Sequence, residues 1–455
     1  MDITFCGGAG TVTGSRYLVR TSGPTLLVDC GLFQGLKELR LRNWDAPPFN
    51  PAEVDAVLLT HAHIDHSGYL PVLGKRGFTG RVYCTRPTRD LCQILLSDSA
   101  RLQEEEAGYA RRHGYSKHTP PLPLYTEEDA ARIREHFRAV DVDTPVELGG
   151  GVRARFLLAG HILGAAMILL EDGAQRVLFS GDLGRPKDPM MPAPTTGLKT
   201  DWLLVESTYG NRRHVDDDPE AELAQVITRT VARGGTVVVP AFCVGRAQLL
   251  LYHLARLKRA HAIPDVPVFL NSPMAQETGA LYPRHRGYHR LNDEECWDVC
   301  NVARHAVTVQ ESKDLHRVAG PKVLIAGSGM ATGGRVLHHL KAYAPDEKNT
   351  VLFVGHQAVG TRGAAMVAGA ESVKIHGEQV PIRAEVVKLD LFSAHADGDE
   401  ILAWLRTFRA PPEETFVTHG EPEAAEALRA RVAEELGWRV RVARHLETVT
   451  WSSST

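Results

Sequence analysis

A repeated local arrangement constrains this chain most: a short apolar run followed at once by a residue able to bind metal. PTLLVDCG carries Asp29, VDAVLLTHAHIDH four such residues, RFLLAGHILG His161, RVLFSGDLG Asp182 and, far downstream, ETFVTHGE His419. The runs are rich in Val, Leu and Phe and are closed by Gly or Thr, which favours buried strands over helices. Ligands at strand ends can converge on one edge of a sheet, where the sites of α/β proteins usually lie.

The densest of these segments is His61-Ala62-His63-Ile64-Asp65-His66. His61 and His63 follow a strand two residues apart, so both imidazoles can reach one ion from the same side. Asp65 and His66 on the following turn can hold a second ion. One carboxylate among several neutral imidazoles suits zinc, with iron or manganese as alternatives. Taken singly, His161 reads as a loop histidine and Asp182 as a helix cap. Their order after HAHIDH, each at a strand end, makes them ligand candidates.

At 455 residues the chain exceeds one ordinary core and has room for roughly two or three average domains. With 43% hydrophobic and 24% charged residues it has the balance of a soluble globular protein. No apolar stretch approaches the ~18 residues of a membrane span. MDITFCGGAG reads as a first strand rather than a signal peptide. Seven cysteines without a CxxC pair argue against a disulfide framework. They read as small core residues in a reducing compartment, and the expected location is cytoplasmic.

Residues 208–384 change character. Amphipathic segments (ELAQVITRTVARGG, GRAQLLLYHLARLKR) alternate with short strands (TVVVP, VPVFL, KVLIAGSG, TVLFVG), as in an α/β unit with a parallel sheet. The ligand-bearing pattern resumes at VVKLDLFSAHAD. The expected organisation is a first domain of residues 1–207 plus 385–455, with 208–384 inserted. The insert holds 21 basic and 17 acidic residues, against 31 and 38 in the remainder. A mildly positive insert beside an acidic, cation-binding domain fits a polyanionic substrate lying between them. Thr126–Val140 reads as a helix opened by a capping box, and 101–125 as a surface excursion.

Two Gly-rich segments, GGAGTVTG and GSGMATGGR, follow strands, but neither has the GxGxxG pattern with a downstream acid of a dinucleotide site. They read as tight turns. In the second, Arg335 and backbone N–H groups can lie beside a phosphate, and Arg362 has the same standing. No GxSxG supports an acyl-enzyme serine. The two cysteines of CWDVC have helical spacing and read as core.

Together VDCG, HAHIDH, AGHILGA and SGDLG resemble the metallo-β-lactamase superfamily. That resemblance implies an αββα sandwich with a two-metal site at the sheet edge. By the same resemblance, His61, His63 and His161 hold one zinc, and Asp65, His66 and His419 the other. Asp182 bridges the ions, and Asp29 orients a ligand from behind. Diiron redox relatives carry Glu at the position of His63, so histidine there favours hydrolysis. VESTYG with Glu206, FSAHAD with His395 and THGE with His419 resemble motifs A, B and C of the β-CASP subgroup. This extends the resemblance over essentially the whole chain and makes the insert an α/β β-CASP domain. Histidine at motif C is associated with the RNA-processing members, and Glu in place of Asp at motif A is tolerated.

These residues make chemical sense as a set. Cleaving a phosphodiester requires an activated nucleophile, charge stabilisation at phosphorus and a proton for the leaving oxygen. Two metal ions supply the first two. Asp65 can align the attacking water, and His395 is suited to protonate the departing 3′ oxygen. Glu206 can hold His395 in the right tautomer. Ser393, Ala394 and Arg335 are the expected substrate contacts. The expected activity is a zinc-dependent ribonuclease with two Zn2+ per chain, Mn2+ being the alternative. It is expected to be endonucleolytic with a 5′-exonucleolytic side, acting on RNA away from membranes, as a homodimer. The competing readings are a thioesterase- or lactonase-type small-molecule hydrolase and a non-catalytic RNA-binding subunit.

Overall fold

Strand Asp2–Gly7 pairs antiparallel with Arg16–Arg20 on one side and Thr448–Thr450 on the other, so the two ends of the chain share a sheet. A computed structural model describes residues 1–114, 119–214, 218–355, 357–358, 360–389 and 393–451. Residues 390–392 of the expected VVKLDLFSAHAD motif lie outside them. The described chain divides into two units, residues 1–213 with 395–455 and residues 214–394.

The first unit is built on two seven-stranded sheets. One runs, in spatial order, Thr448–Thr450, Asp2–Gly7, Arg16–Arg20, Thr25–Val28, Ala56–Leu58, Arg81–Thr85 and Phe137–Val140. The other runs Val440–Val442, Glu414–Thr418, Trp202–Glu206, Gln175–Phe179, Ala166–Asp172, Val152–Leu158 and Val146–Gly149. A single apolar layer lies between them. Ile3, Phe5, Val19 and Leu58 of the first sheet meet Phe156, Ile168, Phe179 and Phe416 of the second, all buried. Full burial of such side chains contributes about 1.5–3 kcal/mol each, before the entropy of ordering them is subtracted. Helix Arg86–His113 covers the first sheet at Arg81–Thr85 and Phe137–Val140, and helix Pro422–Leu436 covers the second at Glu414–Thr418 and Val440–Val442. The result is an αββα sandwich.

Two local expectations are corrected. Residues 101–113 do lie largely at the surface, but as the continuation of helix Arg86–His113 rather than as an irregular excursion. Thr85 caps its start, and left-handed Gly114 ends it one residue beyond the Arg111, Arg112 and His113 of the last turn. Thr126 does open a helix, in a capping box with Asp129, but that helix stops at Arg134. Phe137–Val140 instead pairs in parallel with Arg81–Thr85, because the edge of the first sheet is open to it.

In the second unit six strands form an all-parallel sheet in the order Arg304–His305, Val268–Asn271, Lys322–Ala326, Thr236–Pro240, Thr350–Val354 and Glu385–Leu389. The segments expected to be helical form helices Pro219–Ala232 and Arg246–Arg259. The junctions fall at 213/214 and 394/395, not at 207/208 and 384/385. The reason is pairing: Glu385–Leu389 completes the edge of this sheet beside Thr350–Val354. Cys6, Cys30, Cys84, Cys92 and Cys296 are buried and unbridged, while Cys243 and Cys300 are half-buried. Among the described residues no helix is long and apolar enough to cross a membrane.

Candidate metal centre

Strand ends deliver the candidate ligands. Ala56–Leu58 leads to His61–His66, Val152–Leu158 to His161, Gln175–Phe179 to Asp182 and Glu414–Thr418 to His419, while Trp202–Glu206 ends on Glu206 itself. In the parallel pairing of the second sheet Glu206 lies opposite Thr418 and Phe179 opposite Leu204. The three following loops therefore leave at one edge.

Two donor sets form there. In the first, His63 Nδ1 lies 3.1 Å from His61 Nε2 and 3.2 Å from His161 Nε2. Asp182 Oδ2 stands 3.4 Å from His61 Nε2 and 3.5 Å from His161 Nε2. In the second, His66 Nε2 lies 3.1 Å from His419 Nε2, and Asp65 Oδ2 is 3.5 Å from His419 Nε2. The other oxygen of Asp182, Oδ1, is 3.2 Å from His66 Nε2 and 3.4 Å from His419 Nδ1. Each Asp182 oxygen thus faces a different histidine group.

This arrangement fits bound cations. Four donors about 2.0–2.2 Å from a tetrahedral zinc stand about 3.3–3.6 Å apart, and the separations in the first set, 3.1–3.5 Å, lie within a few tenths of an ångström of that. Asp182 Oδ1 is buried and has no hydrogen-bond partner among the described residues, a costly state that a cation relieves. The electrostatics agree. Burial, reinforced by neighbouring His66, pushes His61 well below the usual imidazole range, and burial brings His63 down to about 4. Both directions favour the neutral imidazole that a metal ligand has to be. Burial also works against the charge on His66, but Asp182 and Asp29 outweigh it and hold that imidazole well above its ordinary range. Asp182, although buried, is held well below the usual carboxylate range by His419, His66 and His61.

The candidate donors are held from behind. Asp29 has a left-handed backbone (φ 58°) and accepts from Thr60 N at 2.8 Å and Thr60 Oγ1 at 2.9 Å, with His66 Nδ1 at 2.8 Å. A carboxylate only accepts, so His66 donates from Nδ1, and a cation that displaced its other proton would meet the Nε2 lone pair on the cluster side. Thr60 Oγ1 also lies 3.1 Å from His61 Nδ1, which orients His61 likewise. His419 is left-handed too (φ 46°), and its N–H donates to Gly8 O at 2.5 Å. Two non-glycine residues in this sparse region at one site mark stored backbone strain.

Glu206 is fully buried beside the cluster. Its Oε1 accepts from Leu183 N at 2.6 Å and its Oε2 from Thr208 N at 3.2 Å, and Oε1 is 3.2 Å from His395 Nδ1. The His395 ring lies 4.4 Å from that of His161 and stays partly exposed, with Tyr209 edge-on at 5.7 Å. With Nδ1 on Glu206, Nε2 points elsewhere and can serve a reacting oxygen.

Sequence reasoning did not single out Thr60, Thr208 or Tyr209. Thr208 Oγ1 lies 3.2 Å from His419 Nδ1. Their signal was adjacency: Thr60 precedes His61, and Thr208 and Tyr209 follow Glu206. The expected substrate contacts fare differently. Ser393 is buried and Ala394 half-buried at the end of the second unit. Arg335 belongs to that unit and donates to the carbonyls of Ala306 (3.0 Å) and Val307 (2.5 Å). Arg362 likewise donates to Lys374 O and Thr332 O. Both cations tie loops to backbone.

Three families match the chain: the metallo-beta-lactamase superfamily over residues 9–219, the Beta-Casp domain over 247–366, and the Zn-dependent metallo-hydrolase RNA specificity domain over 379–443. Ribonuclease TTHA0252 of Thermus thermophilus is 38% identical over 99% of this chain and 100% of its own length. Transcription termination factor FttA of Methanosarcina mazei is 32% identical over 98% of this chain and 71% of its own. Among solved structures, a protein of unknown function from Enterococcus faecalis shares the fold, with a TM-score of 0.56, 13% identity and coverage of 98% of this chain and 99% of its own.

Proposed function

The chain belongs to the β-CASP branch of the metallo-β-lactamase superfamily, and from that premise we propose that it is a ribonuclease using two zinc ions. The observation that carries the two-metal reading is Asp182, whose oxygens face different histidine sets. His61, His63 and His161 would hold one ion and Asp65, His66 and His419 the other, with Asp182 within reach of both. Relatives named as a ribonuclease and a transcription termination factor, with the match to an RNA specificity domain, support RNA as substrate.

Bound zinc supplies a nucleophile at neutral pH and draws charge from a phosphoryl oxygen. The protein's own part is alignment and proton handling. Asp65, beside His419 and half-buried, accepts a hydrogen bond from the attacking water and fixes its direction. As the oxygen of that water bonds to phosphorus and the bond to the 3′ oxygen breaks, His395 gives the Nε2 proton to the departing oxygen. Glu206, held by two backbone N–H groups, keeps His395 in that tautomer and favours its cationic form. The products are a 5′-phosphate and a 3′-hydroxyl.

The test is incubation of internally labelled and 5′-labelled RNA with the protein, with and without a chelator. Chelator-sensitive cleavage lost in Asp182→Ala and His395→Ala supports the reading. RNA binding without metal-dependent cleavage, or turnover of acyl thioesters with none of RNA, refutes it.

A further inference from the structure

Arg16 is 2% exposed, and no carboxylate lies within ion-pair distance of it among the described residues. A buried guanidinium without an acid is costly and has to be held by other groups. Here the groups are specific. Nε donates to Gly31 O at 2.9 Å, Nη2 reaches Asn43 Oδ1 at 3.4 Å, and the guanidinium carbon stacks 3.8 Å from the Tyr69 ring centre and 5.2 Å from that of Phe33.

All of these partners flank one turn. The loop from Asp29 to Phe33 lies against the Asp65–His66 turn through Cys30 N to His66 O (2.7 Å), Leu32 N to Ile64 O (2.9 Å) and the Asp29 contact to His66 Nδ1. Ser15, next to Arg16, donates from N to Asp65 O at 2.9 Å and accepts from Gly31 N at 3.0 Å. The approach at Gly31 is so close that a Cβ there would stand 1.6 Å from Asp65 O. Tyr69 follows the turn and donates from N to Cys30 O at 2.8 Å. Asn43 closes the far side, pairing with both Phe33 N (2.9 Å) and Phe33 O (2.7 Å).

We infer that Arg16 is a positioning residue for one half of the metal centre: it clamps the Asp29–Phe33 loop onto the Asp65–His66 turn and so sets, directly, the geometry of the Asp65–His66–His419 donor set, reaching His61 only at second hand through Asp29 and Thr60. The guanidinium is suited to this because its planar fork donates in two directions while its face stacks on Tyr69. None of its contacts is to His61, His63 or His161. The inference rests on the two-metal reading and refines it by making the two sites separable.

The experiment is stepwise zinc competition against a chromophoric chelator, with thermal melts, on the wild type, Arg16→Met, Arg16→Lys and Asn43→Ala. The expected result is two zinc ions in the wild type. In Arg16→Met one of the two binding steps falls at least tenfold while the other moves less than threefold, and Arg16→Lys recovers part of the loss. Equal weakening of both steps, as a general structural defect produces, overturns the inference, and so does no change in either. If Arg16→Met does not fold, Asn43→Ala decides, because it leaves Arg16 in place and cuts the other end of the tie. One zinc in the wild type would overturn the two-metal reading itself, whereas two unaltered zinc ions in every variant would overturn this inference only.

Discussion

Asp29 Oδ2 lies 2.8 Å from His66 Nδ1, while Oδ1 of the same carboxylate accepts from the Thr60 backbone. A single buried acid therefore orients a histidine of one donor set and, through Thr60, a histidine of the other. Asp29→Asn keeps the shape but offers His66 a weaker acceptor. Overall zinc affinity should fall about 10–100-fold, read by competition with a chelator, while the melting temperature of the metal-free protein changes little.

Asp182→Ala removes a carboxylate whose two oxygens face different donor sets. Zinc content after dialysis, measured by elemental analysis, should fall below two per chain. RNA cleavage should drop by at least about 10³-fold, because loss of a metal removes both the nucleophile and the charge stabilisation.

For His395→Ala the two readouts should separate. Both zinc ions stay bound, since His395 is in neither donor set, but RNA turnover falls about 10²–10⁴-fold with loss of the general acid. A p-nitrophenyl phosphodiester, whose leaving group departs without a proton, should show a much smaller deficit. An equal deficit on both substrates would assign His395 to positioning instead.

The second unit should lose stability in acid through His339. This imidazole is buried between His316 Nε2 (2.9 Å) and Asn271 Oδ1 (2.8 Å). Burial, aided by neighbouring His316, lowers it to about 3. Its folded value lies below the unfolded one of about 6.5, so the unfolded chain binds the extra proton first. The contribution is fully present above pH 6.5 and is lost as pH falls toward 3, by on the order of 1.4 kcal/mol per pH unit. Denaturant melts of the metal-free protein should show a flatter acid limb in His339→Gln.

The residues that the structure gathers into donor sets are legible in the sequence because each follows an apolar run at a strand end, where chain direction and side-chain position are coupled. His61, His63, His161 and His419 are recognisable on that ground before any coordinates. Other features depend on contacts that no local pattern records. Arg16 sits in an ordinary strand, and its role comes from Gly31, Asn43 and Tyr69, brought together by tertiary packing. Glu385–Leu389 reads equally well as the return to the first unit or the edge of the second sheet, and only its pairing with Thr350–Val354 decides. Phe137–Val140 continued a helical pattern until an open sheet edge claimed it.

The pairing of Asp2–Gly7 with Thr448–Thr450, and the supply of His419 from beyond the second unit, also bear on how the protein is born. A ribosome making this chain releases six of the seven donors long before the last one. The second ligand set lacks a member until residue 419 has left the exit tunnel, and the first sheet lacks its edge strand until residue 450 has done so. Domains generally fold as units during synthesis, so a chain wired in this way assembles its second donor set only after residue 419 has been made.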